Sequence, residues 1–335
     1  MGSPSGRHRP LVAFGHGGSS LSDCLRPVVL VGSVTETTGL DSTIVWKGVA
    51  AVHLKERRTA KSVYLQVGNV RMPGFGELAA RWWMPIVFVI VAGHITNVCV
   101  TLFLHRAQTH RGVRFHYLAA LPMRLWLWLT TAIVTKEWVA CHRKHHAFAD
   151  REGDPHSPLL EGLRNILLKG AFYYRKAVRQ PGILEKYGKG TPNDWLERHL
   201  LTRLNWLGIL VMLAIDIYLF GFFVGPLVWG VQMLWIPFWA AGVVNGIGHA
   251  LGYRNFQVKD ESRNISPIAI WLGGEELHNN HHADPKSARF AAKWYEFDIG
   301  WIYIRVLQFL RLAKVEYARP GSKRERDMHQ LEAAH

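Results

Sequence analysis

Nine of the 18 histidines carry the first chemical signal in this 335-residue sequence. Eight fall in three clusters: His105-Arg-Ala-Gln-Thr-His110, His142-Arg-Lys-His145-His146 and His278-Asn-Asn-His281-His282. The ninth, His249, follows Asn245 at a spacing of four. An α-helix turns ~100° per residue, so positions i, i+3 and i+4 share a face. His142, His145 and His146 therefore converge on one point, and so do His278, His281 and His282. Asn245 and His249 share a face as well. His105 and His110 are five apart, diverge on an ideal α-helix, and require a helix end or a turn between them.

Nine imidazoles exceed what one metal uses, since a structural zinc takes four ligands. Two metals with roughly five or six ligands each fit better, and imidazole suits iron, copper and zinc alike. Soluble di-iron carboxylate bundles need paired Glu-x-x-His motifs. Here Glu275-x-x-His278 is matched only by Glu332-x-x-His335 in a charged tail, which argues against that class. A solvated surface role would suit a single H-x-x-H-H. It does not suit two copies plus H-x-x-x-x-H among long apolar runs. His94, alone in an apolar run, reads as a packed or hydrogen-bonded residue, and His156 and His199 read as supporting residues rather than ligands.

The elements that must bring these histidines together are membrane-crossing helices. Residues 82–104 contain no Asp, Glu, Lys or Arg, and at 1.5 Å per residue such a run crosses a bilayer core of ~30 Å. Residues 204–223 and 226–248 form two more apolar runs. Gly221, Gly225 and Pro226 suit a tight turn between antiparallel spans. Asp216, an acid inside the first of these runs, is a functional candidate by default. Residues 118–140 are apolar but carry Arg124, Lys136 and Glu137. All three clusters share one side of the membrane only if this stretch is partly inserted. Residues 141–203 and 249–335 read as polar, basic and helical, with 297–312 suited to lie along the membrane surface.

The expected fold is an all-α integral membrane protein: transmembrane helices plus a cytosolic helical cap carrying a histidine-ligated di-metal site. Residues 1–71, rich in Gly, Ser, Thr and Arg, read as a poorly ordered or non-native leader, dispensable in a chain that starts at Met72. Residues 72–315 form the metal-binding domain and 316–335 a charged tail. Lys plus Arg outnumber Asp plus Glu by 40 to 25, giving +15. No zinc-finger or RNP motif is present, so no nucleic-acid partner is expected. The basic stretches 143–144, 175–179 and 305–326 lie beside apolar runs, as in cytoplasmic loops facing anionic lipid. Three cysteines without C-x-x-C spacing argue against a disulfide framework or a zinc knuckle.

The three clusters, in this order among apolar runs, resemble the histidine boxes of the membrane fatty acid desaturases, especially the acyl-CoA branch and its bacterial relatives. Asn245-Gly-Ile-Gly-His249-Ala-Leu-Gly-Tyr253-Arg254 is similar to that branch's Asn-x-x-x-His segment. Lys136-Glu137-Trp138 before the second box and Asp154-Pro155-His156 after it are similar too. The resemblance spans about residues 82–312. It implies two irons held by His105, His110, His142, His145, His146, His249, His278, His281 and His282, with Asn245 reaching one iron through water. It implies no catalytic side chain beyond these ligands. The implied reaction takes two hydrogens from adjacent methylenes of a long acyl chain, carried as acyl-CoA or acyl lipid, and consumes dioxygen. Electrons then come from a separate ferredoxin, rubredoxin or cytochrome b5, because no His-Pro-Gly-Gly haem motif is present. Membrane lipid is the remaining partner. The implied location is a bacterial inner membrane with the metal site facing the cytoplasm. Glu137, Asp154, His156 and Glu275 are expected to orient ligand imidazoles from behind. One departure stands out: animal members have two spans before the first box, whereas one is clear here.

Two other functions compete. A related membrane di-iron hydroxylase or ketolase, acting on an alkane, carotenoid or sphingolipid, uses the same metal chemistry but transfers oxygen to carbon. A membrane metal transporter keeps its site near the midplane, whereas these histidines sit at span ends and in polar stretches.

Overall fold

The computed structural model describes residues 76–319, together with the backbone of five strands between 32 and 71. The expectations for the leader 1–71 as a whole, and for the tail beyond 319, lie outside the described residues. The chain divides into two compact units, residues 1–85 with 215–226, and residues 86–214 with 227–335. In the first unit β1 (Gly32–Glu36), β2 (Asp41–Trp46), β3 (Ala50–Arg57), β4 (Ala60–Val67) and β5 (Val70–Arg71) form an antiparallel meander in sequence order. Each strand pairs with the next through a short connection, the pattern of local antiparallel pairing.

The second unit is mostly helical. Two segments are long and apolar enough to cross a membrane: α1, running Met84–Thr109, and Asn205–Ile247. Between them lie α2 (Tyr117–Thr131), α3 (Thr135–Phe148), α4 (Pro158–Glu161), α5 (Leu163–Val178) and α6 (Ile183–Tyr187). The helices α2 and α3 meet at 87° across a short break, where Ala132 takes a left-handed φ of 55°. The stretch 118–140 is thus no straight rod.

The helix α7 (Asn205–Ile236) continues as a π-helix over Pro237–Ile247. Its backbone leaves helical geometry at Gly221, with φ 79° and ψ 174°, a conformation open essentially to glycine alone. The two arms fold back on each other: the Trp229 indole donates to the carbonyl of Ile209 at 2.8 Å. The turn expected near Gly221, Gly225 and Pro226 therefore falls on Gly221.

Close packing then sets the site. The helix α5 lies against the Pro237–Ile247 segment. A β-carbon on Gly170 would sit 2.7 Å from the carbonyl oxygen of Ala241, and one on Gly242 would sit 2.7 Å from that of Leu167. Two facing glycines let the backbones approach this far. A buried core around Val100, Phe103, Leu104, Val113, Leu127 and Ile304 fixes α1 against α2 and α9 (Ile299–Phe309). Arg106 crosses that core to Asp298 in a bidentate pair of 2.9 and 3.0 Å, almost fully buried.

Beyond residue 249 the expected helicity is largely absent. Among the described residues only α8 (His278–Ala283) and α9 are helical there. Residues 249–277 run as turns because side chains take up the backbone groups that a helix would use. Asn279 accepts from the amides of Asn255 and Phe256 and donates to the carbonyls of Phe256 and Ser262. Asn280 accepts from the Asn255 and Asn264 side chains and donates to Glu296. Small strand pairs close the unit: β6 (Val113–Phe115) with β9 (Ala313–Val315), antiparallel, and β7 (Ile268–Ala269) with β8 (Phe297–Asp298), parallel.

Candidate metal centre

The first histidine pair owes its geometry to a change of helix type. From Val100 to Thr109, α1 is a π-helix, whose hydrogen bonds run from i to i+5. The His110 amide donates to the His105 carbonyl at 3.1 Å, and the Thr109 hydroxyl donates to the Leu104 carbonyl at 2.8 Å. A five-residue spacing that diverges on an α-helix falls on one face of a π-helix. The His105 and His110 rings stand 4.9 Å apart.

The second box lies on α3 and the third on α8, as the three- and four-residue spacings require. The π-helix over Pro237–Ile247 ends just before His249. All nine histidines meet in two groups able to hold a metal ion: His105, His110, His142, His146 and His281 in one, and His145, His249, His278 and His282 in the other. Each group offers nitrogens that all lie within 4.8 Å of one another. The i, i+3, i+4 reading placed all of His142, His145 and His146 on one point; instead α3 feeds both groups, with His145 pointing to the second. The third box is divided in the same way, with His281 in the first group and His278 and His282 in the second.

The donor set fits a metal in each group. His105 donates from Nδ1 to Glu275 at 2.6 Å and His249 from Nδ1 to Asp150 at 2.7 Å. His145 donates to Asp154 at 3.0 Å and His282 to Asp260 at 3.0 Å. In a neutral imidazole with its proton on Nδ1, Nε2 is a bare lone pair. Such lone pairs point inward. His105 Nε2 lies 3.0 Å from His281 Nε2, and His249 Nε2 lies 3.0 Å from His278 Nε2. The Nε2 atoms of His110, His145 and His282 are buried with no hydrogen-bond partner. Nitrogens about 2.1 Å from a metal and 90° apart are separated by about 3.0 Å. Four Nε2 pairs stand at 3.0 Å, close enough for the nitrogens of each pair to share one ion.

Of the four residues expected to orient imidazoles, Glu275 and Asp154 each accept from one of the nine histidines. His156 lies beside His145, ring centroids 4.6 Å apart and tilted by 30°. Burial, then His145, push His156 down to about 3, so it is neutral. Glu137 makes no hydrogen bond to any of the nine histidines. Asn245 is half-buried and donates to the Ala241 carbonyl at 3.3 Å, with no direct bond to a histidine. Trp138 stacks on His142 at 4.9 Å and 12°. Sequence reasoning missed Asp150 and Asp260. The only available signal was Asp150 standing four residues before Asp154, just past the second box.

Electrostatics favour the ligating form in the third box, whereas at His145 burial is outweighed by Asp154, which raises the imidazole. Burial, then neighbouring imidazoles, hold His278, His281 and His282 well below the ordinary imidazole range. Neutral imidazole is the form that binds metal. Burial alone would raise Asp154, but the His145 imidazole beside it and the amide of His156 hold its carboxyl below the usual carboxylate range.

The stretch that carries these histidines is similar to known proteins. A family model described as fatty acid desaturase matches residues 81–328. Delta-9 desaturase-like 2 protein of Arabidopsis thaliana is 34% identical over 236 residues, covering 69% of this chain and 76% of the relative. An acyl-CoA 5-desaturase of Anemone leveillei is 31% identical over 251 residues, covering 70% and 71%. An sn-1 stearoyl-lipid 9-desaturase of Synechocystis is 29% identical over 255 residues, covering 76% of both.

Proposed function

The chain belongs to the fatty acid desaturase family and is an oxidoreductase acting as a desaturase, and from that premise we propose that it is a membrane-embedded, dioxygen-dependent enzyme that uses two irons and a separate electron donor. One observation carries the proposal: nine imidazoles converge in two buried groups with their Nε2 lone pairs facing inward. His105, His110, His142, His146 and His281 hold one iron. His145, His249, His278 and His282 hold the other, and Asn245 reaches one of the two through water. Two irons, when bound, supply the redox chemistry with dioxygen that an unactivated C–H bond requires, since no side-chain acid or base can take a proton from a methylene.

The chain's own contribution is position and dryness. Carboxylates behind His105, His145, His249 and His282 fix tautomer and ring orientation. The apolar helices supply the surroundings for a long acyl chain. The carrier is CoA or a membrane lipid, the two classes printed in the names of its relatives. In this reading α1 crosses the membrane once, the two arms broken at Gly221 cross and return, and the bent α2–α3 pair is partly inserted. The basic residues of α3 and α5 then face the cytoplasm with the metal groups, in a bacterial inner membrane. The donor is a small soluble or anchored carrier of the ferredoxin, rubredoxin or cytochrome b5 kind.

The test is expression in a host that lacks unsaturated fatty acids, followed by mass spectrometry of its lipids. A species lighter by two hydrogens is the expected product. A species heavier by one oxygen would overturn desaturation in favour of hydroxylation.

A further inference from the structure

The two histidine groups differ in what stands behind them. In the four-histidine group three of the four imidazoles donate from Nδ1 to a carboxylate: His145 to Asp154, His249 to Asp150 and His282 to Asp260. In the five-histidine group only His105 does, to Glu275. The three aspartates are also wired to one another. The Asp150 amide donates to Asp154 Oδ2 at 2.8 Å. The amide of Glu261, next to Asp260, donates to Asp150 Oδ2 at 2.8 Å. Asp150 Oδ1 accepts from the Ser157 hydroxyl at 2.7 Å, and Asp260 Oδ1 accepts from the Ser262 amide at 3.0 Å.

We propose that Asp150 and Asp260 are positioning residues which, with Asp154, form a carboxylate belt dedicated to the four-histidine pocket, so that breaking the belt empties that pocket and leaves the other loaded. The proposal rests on the two-metal reading of the site given above. The belt joins ligands from three separate pieces of chain: His145 on α3, His249 past the π-helix, and His282 on α8. None of these pieces is held to the next by sequence spacing, so something must set their mutual distance. Asp150 does this at its centre. It takes a left-handed φ of 59°, uncommon for non-glycine residues but open to aspartate, whose short side chain bonds locally. That backbone turn lets one carboxylate meet His249, Glu261 and Ser157 while its own amide meets Asp154.

Asp150, His249 and Asp260 also stand close enough together to hold an ion, but in this proposal both aspartates act as acceptors for the imidazoles and not as ligands. Their oxygens meet Nδ1–H, on the ring side opposite to Nε2. Asp260 lies in the irregular stretch 249–277, which exists as turns because asparagine and aspartate side chains hold it. The non-helical loop is therefore the scaffold that brings Asp260 to His282. Glu275 stands apart from the belt. Of the nine histidines it bonds His105 alone, in the five-histidine group, so the two pockets have separate supports.

Loss of such an outer carboxylate weakens metal binding by about 10–100-fold. The experiment uses full-length protein in lipid nanodiscs, equilibrated without oxygen against buffered iron(II) of graded concentration. Iron per chain is measured by elemental mass spectrometry, and the iron environments by Mössbauer spectroscopy. In Asp150→Asn and in Asp260→Asn, one of the two irons should leave at 10–100-fold higher free iron than in the wild type. The other should stay unmoved, and one of two spectral components should vanish with the lost iron. Glu275→Gln should weaken the complementary component. The two aspartate variants are read independently, and the retained iron shows that the chain is folded. Both irons weakening together, or neither weakening, would overturn the belt while leaving the two-metal reading intact. A wild type that takes up one iron or none would instead overturn the two-metal reading, and the belt with it.

Discussion

The amide of His110 and the carbonyl of His105 are joined by a hydrogen bond of 3.1 Å that spans five residues, and this bond turns two divergent histidines into neighbours. The Thr109 hydroxyl adds a second link of the same span to Leu104. Thr109→Val keeps the shape and removes that link, leaving the buried Leu104 carbonyl one acceptor bond short. The expected cost is about 1–3 kcal/mol, together with weaker metal binding by the five-histidine group. Thermal unfolding and iron per chain check both parts.

Replacing one ligand leaves a gap that no neighbour can fill, because helix faces fix the others and a shift of about 1 Å is already costly to catalysis. His145→Ala or His281→Ala should abolish double-bond formation while the chain still inserts. Asn245→Ala should be milder, since a water can still occupy that side of the site. His199→Ala should be silent: this histidine is exposed and stacks on Trp195. The measurement is double-bond yield and iron per chain in matched membranes. Full yield from His281→Ala would remove the third box from the site.

Asp298 holds the guanidinium beside His105. Asp298→Ala strands a buried Arg106 charge, and breaking such a pair costs about 3–5 kcal/mol. The loss falls at the upper end, because Asp298 also accepts from the amides of Phe290 and Trp301. A drop in the denaturant midpoint reads it out. An unchanged midpoint would show that Arg106 finds another partner.

The buried histidines set the response to acid. His278, His281 and His282 are held well below the ordinary imidazole value by burial. Between that depressed range and about 6.5 the unfolded chain binds more protons than the folded one. Their contribution to stability is therefore fully present above about pH 6.5 and declines as pH falls below it. Protons also compete with metal for the same nitrogens. Asp154, whose carboxyl is held low beside His145, keeps its contribution down to about pH 3.9 and loses it below. Destabilisation should thus begin at about pH 6.5, seen as a falling denaturant midpoint across about pH 5 to 8, while the folded chain keeps its iron to lower pH because its imidazoles stay neutral there. Loss of all iron from the still-folded chain at about pH 6.5 would contradict the assignment of neutral, buried imidazoles.

Spacing alone determined much of the site. His142, His145, His146 and His278, His281, His282 recur at three and four residues, and a helix turns such spacings into a shared face whatever surrounds them. Long apolar runs, uncharged as far as Leu104 in α1 and broken only by Asp216 in the arms around Gly221, likewise fix where these segments lie, because an apolar run of that length has few alternatives. Tertiary structure decided the rest. A five-residue spacing does not say whether a helix will widen, so His105 and His110 were placed only by the π-helix of α1. Which box member enters which metal group depends on how α3 and α8 approach each other, and spacing within each box does not record that approach. Asp150 and Asp260 meet His249 and His282 from distant points in the chain, through a left-handed residue and a loop held by asparagines. Glu137, five residues before the second box, makes no hydrogen bond to any of the nine histidines. Local periodicity sets which atoms share a face, whereas contacts between distant segments depend on packing that no single stretch of sequence encodes.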